Sequence, residues 1–67
     1  MKLWEYVGKK VRVYFKDGDI YDGIVIDFDH DYDTYNGQNA ILLRTDDSMF
    51  SIDENEIESI KVIESEE

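Results

Sequence analysis

Cysteine and proline are both missing from this 67-residue chain. Without cysteine there is no disulfide framework, no thiolate nucleophile and no zinc–thiolate site, which fits a reducing compartment. There is no internal repeat and no linker, and the whole chain reads as one domain. No segment approaches membrane-spanning length, and Met1-Lys2-Leu3-Trp4-Glu5 lacks the apolar stretch of a signal peptide. The expectation is a soluble, cytoplasmic protein with no membrane partner. Positive charge is scarce as well: 7 Lys and Arg stand against 17 Asp and Glu, a formal net charge of −10. Nucleic-acid affinity rests largely on cations displacing counterions from phosphates, so this balance disfavours RNA or DNA as a general partner. It favours solubility, a basic protein partner, or mimicry of a phosphate backbone.

Hydrophobic residues make up 42% of the chain, enough for a globular core. A domain this small gains only about 3–5 kcal/mol from such a core. The passage around which the chain is organised is residues 9–29. Val11, Val13 and Phe15 alternate with Arg12, Tyr14 and Lys16, the pattern of a strand with one apolar face. Asp17-Gly18 is a hairpin signal, since glycine takes a positive φ at little cost. The following strand, residues 19–28, carries apolar residues of both parities: Ile20, Ile24 and Ile26 on one, Tyr21 and Val25 on the other. A strand apolar on both sides is central, or is covered by another element or subunit. Gly23 in its interior predicts a bend, a bulge or a close backbone approach.

Ahead of this hairpin, Leu3, Trp4 and Val7 precede Gly8, which predicts a short helix over residues 2–7 ending on a glycine cap, with Trp4 as a plug over the core. After it, a third strand is expected over residues 39–45, a turn at Asp46-Asp47-Ser48, and a fourth strand over 49–52. The spacing of Ile57 and Ile60 suggests a 3₁₀ turn, followed by a last strand and a frayed acidic tail over residues 64–67. The single domain thus spans residues 1–63, with a barrel over residues 9–63 behind the helix of residues 2–7.

Candidate chemistry is thin. Asp27, Asp29, Asp31 and Asp33 alternate and offer a weak divalent-cation site. An EF-hand loop fails in both registers, because its glycine and glutamate positions hold Thr34 and Ala40, or Tyr32 and Gln38. The single histidine, His30, has no nucleophile or pocket near it to make it catalytic. With neither a metal motif nor a phosphate loop, no catalytic residue and no cofactor is expected, and an enzyme is the least favoured class. A basic–aromatic stripe of Arg12, Tyr14 and Lys16 suits single-stranded nucleic acid. The competing reading pairs those cations with Asp19, Asp22 and Asp27 across the hairpin.

The series Gly8-Lys9-Lys10-Val11-Arg12-Val13, Asp17-Gly18, Tyr21-Asp22-Gly23-Ile24-Val25 and Phe28-Asp29 resembles the first half of the Sm motif of Sm-like (LSm) proteins. Ile52 with Ile57 and Ile60 resembles that family's closing strands, joined by a 3₁₀ turn. The chain also looks like the small, acidic Sm-like proteins of Gram-positive bacteria and their phages. The resemblance implies a mainly β fold, a small five-stranded, strongly bent antiparallel barrel of the SH3-like type with a short N-terminal helix. It makes Gly8, Gly18, Gly23, Trp4 and Phe28 structural residues, and it implies rings built by strand pairing between subunits. It further implies RNA binding, through Asp29, Tyr32 and Asp33 in the first binding loop, together with Tyr35, Lys10, Arg12 and Lys16. Two departures weaken that implication. Asp33 stands where the family has a base-contacting asparagine, and a carboxylate cannot donate as an amide does. Residues 46–51 hold no counterpart of the family's Arg-Gly pair. The expected role is therefore a protein-interaction or oligomerisation module, with RNA binding second and nucleic-acid mimicry third.

Overall fold

The computed structural model describes residues 2–29 and 39–65. One 3₁₀ turn, Leu3–Tyr6, precedes five strands: β1 (Lys9–Phe15), β2 (Ile20–Asp29), β3 (Ala40–Arg44), β4 (Met49–Asp53) and β5 (Ile57–Ser65). All neighbouring strands are antiparallel, in the order β4-β3-β2-β1-β5. The mainly β expectation, five antiparallel strands, holds. The ladder itself stays open, because β4 and β5 form its two margins and do not pair with each other.

The sheet nevertheless curls around one core. Ile52 of β4 and Ile57 of β5, from opposite margins, join Val11, Val13, Val25, Ile41, Leu43 and Leu3 in a single buried cluster. Bulges supply the curvature. In β2 the partners of Leu43 and Leu42 are Val25 and Asp27, so Ile26 is the extra residue. That extra residue puts both Val25 and Phe28 on the core side, three positions apart, where strict alternation would have split them. β5 repeats the device: Ser59 opposes Tyr14 while Ile57 opposes Phe15, which leaves Glu58 as the extra residue. The spacing of Ile57 and Ile60 therefore reflects a bulge. The 3₁₀ turn expected there lies earlier, at Glu54–Glu56, and Ile57 already opens β5.

Three further expectations are corrected. Trp4 does not plug the core, being 53% exposed; its neighbour Leu3, fully buried, does. The N-terminal helix is a single four-residue 3₁₀ turn. The chain leaves it through an extended Val7 and Gly8 at φ +87°, and the Gly8 amide donates to the Val25 carbonyl at 2.7 Å. The tail does not begin at Glu64, since Glu64 and Ser65 continue β5 opposite Lys10 and Lys9.

Gly23 acts by space rather than by dihedral angle. A Cβ there would stand 2.5 Å from the Arg44 carbonyl oxygen and 3.0 Å from Leu43 Cγ, so β2 and β3 approach closely only because glycine is present. Gly18 acts by dihedral angle. At φ +101° it closes the β1–β2 hairpin, where the Gly18 amide donates to the Phe15 carbonyl at 3.0 Å and the Phe15 amide to the Asp19 carbonyl at 2.9 Å. This is a three-residue loop with glycine in the left-handed position. The Asp19 amide donates to the Asp17 carboxylate at 3.1 Å, which adds an Asx turn.

Candidate functional site

Two surfaces have site-like geometry, one on the outer face of the sheet and one at the hairpin end. On the outer face, the register sets Arg12 directly opposite Asp22 and next to Lys61, and Lys10 between Ile24 and Glu64. Arg12 and Asp22 form a bidentate pair: Nε donates to Oδ1 at 2.8 Å and Nη2 to Oδ2 at 2.9 Å. Both side chains remain 41% exposed, so the pair fixes geometry more than it adds stability. Hydrogen bonding from Arg12 is the main cause that holds the Asp22 carboxyl below its ordinary value; partial desolvation opposes it, and the charges of Arg12 and Lys10 reinforce it. The same partner raises the Arg12 guanidinium further above its already high value.

The nucleic-acid candidates are thus dispersed. Lys10 and Arg12 share the outer face of β1, where Arg12 is engaged by Asp22. Lys16 lies beyond the end of β1, in the turn beside Phe15 and Asp17. Asp29 ends β2 in an exposed position. Tyr32, Asp33 and Tyr35 lie outside the described residues, as do Asp31 and His30. Of the four alternating aspartates, only Asp27 and Asp29 are described, both exposed on β2. Among the described residues, no three or more His, Cys, Asp or Glu side chains are gathered as metal ligands.

The second surface was not singled out by the sequence. Phe15 from β1, Tyr21 from β2 and Phe50 from β4 line a cavity of about 430 Å³ at the hairpin end of the molecule. Tyr21 stands at the centre, 5.4 Å from Phe15 at 61° and 5.3 Å from Phe50 at 77°, both in edge-to-face arrangement. Lys16, Asp17, Asp19, Asn55 and Glu56 form the rim. Part of this site was readable. A hairpin closed at Asp17-Gly18 sets Tyr21 opposite Val13, on the face that Phe15 also occupies. Phe50 joins through the pairing of Leu43 with Phe50, a contact between β3 and β4 that no local pattern announces. At the opposite end of β2, Trp4 meets Phe28 edge to face at 5.9 Å.

Comparison of the chain with protein-family models, with characterised proteins and with solved structures returns no match. The site therefore has to be read from its own chemistry.

Proposed function

We propose that the chain is a non-enzymatic Sm-like barrel that works as a protein-interaction and oligomerisation module. The observation that carries this reading is the open sheet. The outer edges of its margins, β4 and β5, pair with no further strand among the described residues, and an unpaired strand edge is a ready template for another chain. Apolar side chains left exposed on the same molecule add to it: Ile20 and Met49 at 57% each, Val62 at 40%, Ile26 at 38% and Ile63 at 36%. The two-sided apolar character of β2 then has a use, with the inner side facing the core and the outer side available to a second surface.

RNA binding stands behind this reading, because Arg12 is engaged by Asp22 and Lys16 sits apart from Lys10 and Arg12. Light scattering on a sizing column at micromolar concentration tests the proposal. The expected mass is a defined multiple of 7.9 kDa. A clean monomer that also captures no protein partner would overturn it.

A further inference from the structure

We infer that the cavity lined by Phe15, Tyr21 and Phe50 is a binding site for a cationic side chain, arginine or lysine, presented by a basic polypeptide partner. The inference deepens the reading of the chain as an interaction module, but it does not depend on self-association. Three observations carry it. Rings set at 61° and 77° to one another form walls instead of a stack, and aromatic walls attract a cation through the negative charge of their faces. The space beside them, about 430 Å³ and open to solvent, is lined by these rings and by polar groups.

The rim supplies the second observation. Asp19 and Glu56 are both exposed and their carboxylates have no partner among the described residues, although Lys16 lies on the same rim. Asp17, the third rim acid, is already turned toward the Asp19 amide. A cation in the cavity, against the rings that line it, would thus meet two free carboxylates at the mouth. The third observation is global. With a formal net charge of −10, the molecule as a whole attracts a basic partner and repels a nucleic acid.

The test is an NMR titration of the full chain with a capped basic pentapeptide that has arginine at its centre, alongside the same peptide with glutamine in place of each cation. The ring signals of Phe15, Tyr21 and Phe50 should move with the basic peptide only, while those of Trp4, at the far end of β2, stay in place. Tyr21→Leu, which keeps apolar bulk but removes the central ring, should weaken binding at least five-fold. As that substitution touches the edge of the core, the double variant Asp19→Asn, Glu56→Gln serves as an independent check on exposed positions. It should weaken binding several-fold and flatten its salt dependence. Wild-type affinity in the double variant, ring signals unmoved by the basic peptide, or ring signals moved by oligouridine instead would each overturn the inference. A monomer on the sizing column that still binds the peptide would end self-association and leave this site standing.

Discussion

The two ends of β2 carry aromatic groups held in different ways. At the Tyr21 end all three rings belong to strands, so the register of β1, β2, β3 and β4 fixes them. At the Phe28 end one ring belongs to the sheet and the other, Trp4, to a four-residue turn outside it. That turn is anchored by one fully buried side chain, Leu3. An aromatic surface built on strands keeps its shape as long as the sheet exists, whereas one built on a short turn depends on the few contacts that hold the turn, chiefly buried Leu3, with Tyr6 packed beside it. The first kind suits a preformed site, since little order has to be imposed on binding.

The largest expected effect breaks the weaker end. Leu3→Ala should cost about 2–4 kcal/mol, the range for emptying a buried leucine site. For a domain of this size that lowers the melting temperature by roughly 10 °C or more, and Trp4 fluorescence should shift toward that of a solvated indole. Trp4→Ala, one residue on, should cost less than about 1 kcal/mol, as befits a mostly exposed side chain. Equal losses for the two would refute the account of Leu3 as the main anchor of the turn. The next effect falls between the two ends. Gly23→Ala forces a Cβ against the Arg44 carbonyl, and overpacking of this kind costs about 1–3 kcal/mol. Thermal melts should show the loss, and amide exchange should locate it where β2 meets β3.

The smallest effect concerns Asp22, whose carboxyl is held below its ordinary value of 3.8 by Arg12. A carboxyl depressed in the folded state stabilises the fold above its unfolded value and ceases to do so as pH falls through its folded value. Wild type and Asp22→Asn should therefore differ in denaturation midpoint near neutral pH and converge below pH 3.8. A difference that persists unchanged at pH 2 would mean that the pair is not the source.

The strands and the hairpin were legible because alternation and turn chemistry are local. Val11, Val13, Asp17-Gly18 and Gly23 each speak through their nearest neighbours. What escaped was whatever depends on a bulge. Ile57 and Ile60, three apart, have the spacing of a helical turn, yet they share a strand face because Glu58 is extra. Phe28 joins Val25 on the core side for the same reason, through Ile26. Trp4 was misplaced because size favours the indole as a plug, while the geometry of a single 3₁₀ turn directs Leu3 inward. The aromatic cavity was half legible, through Phe15 and Tyr21. Its third wall, Phe50, rests on pairing between β3 and β4.

The bulges of β5 have a consequence for motion along the sheet. Against β1 the strand carries two extra residues, Glu58 and Ile63, one near each end of the pairing. A strand with plain alternation can slip by two residues and still keep its faces; this one cannot, because both irregularities would have to travel together. The outward row of donors and acceptors on β5 is thereby locked in position relative to β1.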